Sequence, residues 1–261
     1  MIELHQVGKR FGGVTAVDGV SLRVEPGELL VLLGTSGSGK TTTLKMINRL
    51  IEPDSGRVLI GGQDAASLPA HELRRRIGYV FQRVGLFPHL SVADNVAVTP
   101  SLLGWDAARV RARVDALLEL VELEPAQFRE RRPDELSGGQ AQRVAVARAL
   151  AAEPRVMLLD EPFAALDPLT RDRLQGSFVR IRRRLGLTAI FVTHDMLEAL
   201  LLGDRIAVMR AGRLVQLGTG SELLRAPADE EVARLMGAPL RQARRVEALL
   251  RGRPQAGEGD P

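Results

Sequence analysis

The stretch 34-GTSGSGKTT-42 fits the pattern G-x-x-x-x-G-K-[ST] without a mismatch. The apolar run 29-LLVLL-33 precedes it, as expected of a buried parallel strand, and apolar residues at helical spacing follow it from Leu44 to Ile51. The stretch therefore joins a strand to a helix, which is the context that a phosphate-binding loop requires. An ordinary Gly/Ser-rich connection is the alternative, and the flanking strand and helix argue against it.

The chemistry of this loop follows from its residue types. Glycines let consecutive backbone N–H groups point into one concavity, and the N-terminus of the next helix adds positive potential. Lys40 is expected to reach the β- and γ-phosphates of a nucleotide, and the Thr41 hydroxyl is expected to bind Mg²⁺. The predicted nucleotide-binding residues of the loop are Gly34, Thr35, Ser36, Gly37, Ser38, Gly39, Lys40, Thr41 and Thr42.

Composition bounds the class of protein. A chain of 261 residues can form one large α/β domain or a core with a subdomain. There are no cysteines, which excludes disulfides and thiolate metal sites. The net charge of +4 admits an anionic partner, but aromatic residues are 3% of the chain, too few for base stacking, so no nucleic acid is expected. No secretion signal and no apolar run of about 18 residues is visible, which favours a cytosolic location.

The first third of the chain supplies two further candidates. Residues 2–24 are predicted to form short strands with a turn at 12–13, and Phe11 beside this turn can stack on a purine or fill the core. A strand over 77–81 ends at Gln82, where open α/β sheets place ligand contacts; an ordinary surface glutamine is the alternative. From Arg83 to about Arg132 the pattern becomes helical, which predicts an insertion in the α/β core.

The stretch 136-LSGGQ-140 opens a helix predicted over 141–152, so that the inserted helical subdomain is expected over approximately 83–150. Ser137 is a natural N-cap, and the two glycines leave the first backbone N–H groups open. This is a second helix terminus suited to an anion, although no lysine accompanies it. A simple cap is the alternative, but each glycine costs about 1 kcal/mol relative to alanine, which favours a function.

Two more apolar strands end in polar groups. The run 156-VMLLDE-161 places Asp160 where it can hold Mg²⁺ and Glu161 where it can act as a general base, unless both acids are merely solvated. A strand over 187–193 leads to His194, which is placed to contact a γ-phosphate; a structural histidine is the alternative.

The C-terminal part is predicted to be simpler. Two runs over 206–217 indicate a hairpin through Ala211-Gly212. Beyond Pro239 a short separate helix is expected over 241–250, and 252–261 lacks apolar residues and is predicted to be disordered.

Taken in order, these motifs resemble the nucleotide-binding subunit of ABC transporters over residues 2–237. The resemblance implies an α/β fold of the P-loop NTPase type: a parallel-rich sheet with helices, an N-terminal antiparallel β subdomain and an inserted α-helical subdomain. The residues that carry it are Phe11 as the adenine-stacking aromatic, 34-GTSGSGKTT-42 as Walker A, Gln82 as the Q-loop, 136-LSGGQ-140 as the family motif, 156-VMLLDE-161 as Walker B, 164-AALD-167 as the D-loop and His194 as the switch histidine.

The resemblance also implies a mechanism. Two subunits, either identical or homologous, pack head to tail and bury two ATP molecules between them. Hydrolysis of the ATP then lets the two subunits separate. Ser137, Gly138 and Gly139 would face the γ-phosphate held by Lys40 of the partner subunit, and Gln140 and Asp167 are also expected to bind nucleotide. Thr41, Gln82 and Asp160 would organise Mg²⁺, while Glu161, Gln82 and His194 would act in hydrolysis. Transmembrane permease subunits would hold the ATPase at the cytoplasmic face of the inner membrane.

A finer resemblance is to importers of quaternary amines such as glycine betaine, choline and carnitine, which also use an extracytoplasmic solute-binding protein. It is carried by 44-LKMINRLIEPDSG-56, 73-LRRRIGYVFQRVGLFPHLSVADNV-96, 101-SLLGW-105 and 190-IFVTHDMLEALLLGDRIAVM-209. Departures are Ala141 where glutamine is usual, 218-GTG-220 where Gly-Thr-Pro is common, and no paired regulatory domain before Pro261. Alternatives are an importer of another small polar solute, an exporter, and a soluble family member acting on nucleic acid or ribosomes.

Overall fold

The structure is a computed structural model that describes residues 1–164 and 166–250. Its strands are β1 (Ile2–Phe11), β2 (Val14–Val24), β3 (Leu29–Leu33), β4 (Ser55–Ile60), β5 (Gln63–Asp64), β6 (Ile77–Val80), β7 (Val156–Asp160), β8 (Thr188–Thr193), β9 (Arg205–Arg210) and β10 (Arg213–Gly218). Its α-helices are α1 (Lys40–Ile47), α2 (Ala70–Arg75), α3 (Val92–Leu102), α4 (Ala107–Leu120), α5 (Pro125–Phe128), α6 (Gly138–Leu150), α7 (Pro168–Leu185), α8 (Met196–Leu202), α9 (Gly220–Arg225) and α10 (Glu230–Leu250).

The strands form two sheets. Strands β2-β1-β4-β5 form an antiparallel sheet, and β10-β9-β3-β8-β7-β6 form a second sheet that is parallel except for the β9–β10 hairpin. Every residue of β3, β7 and β8 is buried, which explains their continuous apolar sequences. The predicted hairpin is confirmed, and its turn uses Ala211 and Gly212, both at positive φ.

The six-stranded sheet has a hydrophobic core on each face. Leu29, Val31 and Leu33 of β3 point into the core that α3, α4, α6 and α7 cover, whereas Leu30 and Leu32 point toward the antiparallel sheet. This alternation is the two-residue period of a strand. The central strands are thereby held rigidly between two layers, and their carboxyl ends are fixed relative to one another.

Helices α3, α4 and α6, which lie between β6 and β7 in the sequence, pack against one another. The Ser91 hydroxyl accepts a hydrogen bond from the Asp94 N–H at 3.1 Å and starts α3 where the sequence predicts. Helix α6 begins at Gly138 rather than at the predicted Ala141, because the Ser137 cap takes both glycines into the first turn. Over residues 1–164 and 166–250, no helix is both long and apolar enough to cross a membrane.

The prediction of a separate short helix over 241–250 is wrong, because α10 runs without interruption through Pro239. Asp229 caps it by accepting a hydrogen bond from the Val232 N–H at 2.8 Å, and Val232 and Met236 are buried against the core. This anchoring offsets the backbone donor that Pro239 removes. The boundary predicted after residue 237 therefore falls inside a helix, and the predicted tail over 252–261 lies outside the described residues.

Candidate nucleotide site

The phosphate-binding loop spans 34–39, between the end of β3 and the start of α1. Gly39 has a φ of +98°, and a Cβ atom there would lie 2.5 Å from the carbonyl oxygen of Ala16. Only glycine satisfies both constraints, since the left-handed region and the close approach each exclude a side chain. The start of β2 therefore lies directly against the loop and fixes one wall of the site.

Lys40 is buried and points back into the loop. Its Nζ donates to the carbonyl oxygens of Gly34 and Thr35, both at 2.8 Å, and approaches Ser38 Oγ at 3.3 Å. Burial lowers the pKa of Lys40, while the charges of Glu161 and Asp160 oppose that shift. The ammonium group thus occupies the concavity where a phosphate would offer it a stronger, charged acceptor.

Thr41 and Asp160 meet across the loop. The Thr41 hydroxyl donates to Asp160 Oδ1 at 2.8 Å, and Asp160 is only 4% exposed. Burial raises the pKa of Asp160, opposed by the Thr41 hydrogen bond and by the charge of Lys45. Sequence reasoning gave Lys45 no role, although it lies one helical turn after Thr41 and is one of only three lysines.

This pair suits a hard divalent cation. A hydroxyl and a carboxylate are oxygen donors of the kind that Mg²⁺ prefers, and the Gln82 side chain, which contacts the adjacent Glu161, carries a further amide oxygen. Among the described residues, no group of three or more His, Cys, Asp or Glu side chains can enclose a metal ion. The donor set therefore fits Mg²⁺ that shares its coordination with substrate phosphates, rather than a cage made of protein alone.

Gln82 and His194 converge on Glu161. The Gln82 Nε2 group lies 3.3 Å from Glu161 Oε2, and His194 Nδ1 lies 3.1 Å from the same oxygen. Because a carboxylate only accepts hydrogen bonds, the histidine tautomer that satisfies this contact carries its proton on Nδ1. Glu161 has a φ of +43°, a strained conformation for a residue with a side chain, held by its N–H donating to the Val192 carbonyl at 3.0 Å.

Strand register explains this convergence. Asp160 pairs with Val192 between β7 and β8, and Leu33 pairs with Thr193 between β3 and β8. The loop, both acids and His194 therefore leave the sheet at one carboxyl edge, where open α/β sheets bind ligands. The structure brings together all the residues predicted from these three strands, although they are distant in sequence.

The Ser137 stretch makes none of the described hydrogen bonds to the residues at the carboxyl edge of the sheet. Ser137 and Gln140 form a reciprocal cap, with the Ser137 N–H donating to Gln140 Oε1 at 2.9 Å and the Gln140 N–H donating to Ser137 Oγ at 3.3 Å. A Cβ atom on Gly138 would meet nothing within 4 Å, whereas one on Gly139 would lie 2.6 Å from Thr170 Cγ2. Gly138 is therefore the open position of this helix terminus.

Asp167 and Phe11 complete the predicted set. Asp167 caps α7 by accepting a hydrogen bond from the Thr170 N–H at 3.0 Å, so that its first role is local. Phe11 is 46% exposed at the end of β1, with the Lys9 ammonium 5.5 Å from its ring centroid. Its exposure rules out a core-filling role and leaves a ring face available for stacking.

The chain is similar to known proteins over most of its length. A family model described as ABC transporter matches residues 17–164. The glycine betaine/carnitine/choline transport ATP-binding protein OpuCA of Bacillus subtilis (strain 168) is 49% identical over 255 residues, covering 97% of this chain and 65% of OpuCA. The glycine betaine uptake system ATP-binding protein YehX of Escherichia coli (strain K12) is 52% identical over 237 residues, covering 91% of this chain and 77% of YehX. The chain thus spans less than two thirds of the length of OpuCA.

A solved structure shares the fold. The dimeric, post-hydrolysis structure of the ATP-binding cassette MJ0796 bound to ADP and Pi superposes with a TM-score of 0.76 at 34% identity, covering 84% of this chain and 98% of that one. The predicted α/β fold of the P-loop type, with its N-terminal antiparallel sheet and inserted helices, is confirmed by this match and by the two sheets described above.

Proposed function

The chain belongs to the ABC transporter family, and from this membership and the geometry of the sheet edge we propose that it is the ATP-binding and ATP-hydrolysing subunit of an importer. One observation carries the hydrolytic part of the proposal. The carboxylate of Glu161, beside the Asp160–Thr41 pair, receives hydrogen bonds from both Gln82 and His194. This is how a general base is oriented toward a phosphate site.

Nucleotide binding is assigned to the loop. The backbone N–H groups of 34–42 would surround the phosphates, and Lys40 would exchange its carbonyl acceptors for the β- and γ-phosphate oxygens. Mg²⁺, held by Thr41, Asp160 and Gln82, would neutralise phosphate charge when it enters with the nucleotide. Phe11 would stack on the adenine.

Hydrolysis is assigned to Glu161. Within the described residues, both hydrogen bonds to its carboxylate go to Oε2, which leaves Oε1 to accept a proton from water. That water attacks the γ-phosphorus, the bond to the β-phosphate oxygen breaks, and ADP and inorganic phosphate form. Gln82 and His194 keep the carboxylate in place, and His194 also lies near enough to the edge to respond to the γ-phosphate.

A second copy, or a homologous ATPase subunit, would complete each site. The Ser137 helix terminus is suited to an anion but has no lysine in its first turn, whereas residues 35–37 of the loop before Lys40 are exposed. In a head-to-tail pair, Ser137, Gly138 and Gly139 would meet the γ-phosphate held by the other subunit, with Gln140 and Asp167 beside them. ATP would favour the closed pair because it binds that state more tightly than the open one.

The solute and the partners are the finer part of the proposal. The stretches shared with quaternary amine importers support uptake of an osmoprotectant such as glycine betaine, choline or carnitine, and relatives named for those solutes agree. Permease subunits would hold the ATPase at the cytoplasmic face of the inner membrane, with an extracytoplasmic solute-binding protein acting through them. Import of another small polar solute is the main alternative, because the solute does not touch this subunit.

Separate experiments test the ATP-driven pairing and the identity of the transported solute. The Glu161→Gln variant is mixed with ATP and Mg²⁺, and its mass is measured by light scattering; we expect a dimer with ATP and a monomer with ADP. A monomer under both conditions would refute the ATP-driven pairing.

Uptake of radiolabelled glycine betaine and choline, measured in cells with and without the gene, tests the solute. Unchanged uptake of both would overturn the quaternary amine assignment and leave the ATPase assignment intact.

A further inference from the structure

Glu122 joins three side chains from two helices. Directly after the C-terminal end of α4, its Oε1 accepts hydrogen bonds from Ser177 Oγ at 2.9 Å and from Arg180 Nη2 at 3.1 Å. Its Oε2 accepts from Arg143 Nη1 at 2.8 Å. Arg180 also donates to Ser177 Oγ at 2.8 Å, which closes the group into a single network.

The network connects α6 and α7, whose N-terminal ends lie at the proposed dimer face. Arg143 lies in α6, whose first turn carries the Ser137 cap, while Ser177 and Arg180 lie in α7, which Asp167 caps. None of these residues belongs to the nucleotide site. The hydrogen bonds from Ser177 and Arg143 lower the pKa of Glu122, so the carboxylate is ionised and fully engaged at neutral pH.

From this network we propose that Glu122 is a positioning residue that locks α6 to α7, so that the Ser137 and Asp167 caps approach a second subunit as one rigid face. The proposal rests on the head-to-tail pairing described above. It concerns how the two caps keep their relative position, and not which groups touch the nucleotide.

Two points of contact are needed to fix the angle between two helices. The first is where Gly139 packs on Thr170, at the N-terminal ends of α6 and α7. Elsewhere α6 and α7 share apolar packing, including Val146 and Phe178, but such contacts are non-directional and do not by themselves fix the angle. Ser177 lies seven residues beyond Thr170, about 10 Å along α7, and the Glu122 carboxylate supplies the second contact there. With both in place, rotation of one cap relative to the other is resisted.

The number of its hydrogen bonds distinguishes the network from an ordinary surface ion pair. Exposed ion pairs contribute little, because water screens them and the side chains lose freedom. The Glu122 side chain is 49% exposed, but its two oxygens accept three hydrogen bonds, including one from Ser177, which is 6% exposed, and one from Arg143, whose side chain is 15% exposed. Glu122 itself has a φ of +60°, so the chain holds a residue with a side chain at a position where glycine would be easier.

This left-handed backbone conformation allows a substitution that removes the Glu122 side chain without adding backbone strain. Glu122→Gly removes the carboxylate and also relieves the left-handed backbone, so the fold should be retained. Glu153→Gly is the matched control, because Glu153 has a φ of +55° and its carboxylate lies 3.6 Å from Arg109 of α4 rather than against α7. Both are made in the Glu161→Gln background, in which ATP is held without turnover.

The first readout is ATP-driven dimerisation. We expect Glu122→Gly to raise the dimer dissociation constant roughly tenfold, equivalent to about 1.4 kcal/mol, while Glu153→Gly does not change it. Nucleotide affinity of the monomer should stay within about twofold in both variants, because the network lies outside the phosphate loop. Glu122→Gln, which keeps an oxygen to accept from Ser177, should restore part of the loss.

The second readout does not need a dimer. The chain contains no cysteine, so Ala112→Cys in α4, which packs on α6, and Arg173→Cys in α7 allow two spin labels to be attached. Without nucleotide, the distribution of distances between the labels should be narrow in the parent and in Glu153→Gly, and broad in Glu122→Gly. A narrow distribution in Glu122→Gly, or unchanged dimerisation despite a broad one, would overturn the proposal. If the parent itself does not dimerise, the pairing fails, and the distance measurement still judges the lock.

Discussion

At the scale of single residues, Glu161 gives the sharpest prediction. Replacing it by glutamine keeps the shape and the neighbours Gln82 and His194 but removes the proton acceptor. We expect ATP binding to persist and hydrolysis to slow by about 10²–10⁴-fold, the usual contribution of a general base. Phosphate release and nucleotide affinity, measured on the same preparation, check this. Glu153→Gln is the control, and near-normal turnover in Glu161→Gln would refute the role.

Gly138 offers a second prediction at this scale. A Cβ atom there meets no atom within 4 Å, so Gly138→Asp adds a negative charge at an open position in the first turn of α6. The carboxylate should support its own helix while repelling a phosphate brought to the same terminus. We expect a melting temperature no lower than that of the parent and loss of ATP-driven dimers.

Gly138→Asn is the neutral control of the same shape and should retain dimerisation. The neighbouring Gly139→Asp is a poorer test, because it would displace Thr170 at 2.6 Å and disturb α7 as well. Dimers that persist in Gly138→Asp would contradict the placement of this terminus against the phosphate of a second subunit.

At the scale of helices and strands, local sequence predicted most of what positions the site. The apolar runs over β3, β7 and β8 and the polar residues that follow them were sufficient, because continuous burial and strand ends both leave a local signal. The network around Glu122 was not predictable, since its partners lie 21 to 58 positions away. Only the folded chain brings a helix end against α7.

Helix α10 shows the same limit. A proline predicts a helix end from local rules, yet burial of Val232 and Met236 carries α10 through Pro239. Tertiary packing therefore outweighed a strong local preference, and the residues that decided it precede the proline by up to seven positions.

This explanation predicts the effect of Pro239→Ala. Alanine restores the N–H that can donate to the Leu235 carbonyl and removes the ring clash, a gain of up to about 3 kcal/mol for a helix interior. We expect slower hydrogen exchange over residues 237–245, measured by mass spectrometry. Pro125→Ala is the control, because Pro125 occupies the first turn of α5, where proline costs little. Equal exchange in the parent and in Pro239→Ala would show that α10 does not continue through this position.

At the scale of the whole molecule, the fold buries carboxyl groups as well as apolar ones. Asp160 and Glu198 are both less than a tenth exposed, and burial raises the pKa of each. Asp160 lies in the nucleotide site, where an incoming cation would restore its charge. Glu198 has no such role; it lies in α8, where its Oε1 accepts from Gln175 Nε2 of α7 at 2.8 Å.

Glu198 therefore makes the stability of the molecule depend on pH in a defined direction. Its folded pKa lies above the ordinary value of 4.5, so the native state holds this proton more tightly than the unfolded chain. The unfolding free energy should consequently fall as pH rises from about 4.5 toward the folded pKa of Glu198. Glu198→Gln removes the titration, so its stability relative to the parent should improve as pH rises above about 4.5, as urea denaturation can measure. Glu222→Gln is the control: hydrogen bonds from Thr219 lower the pKa of Glu222, so its contribution is complete above 4.5 and should stay constant over the same range. A pH-independent difference between Glu198→Gln and the parent would mean that Glu198 is ionised in the native state throughout.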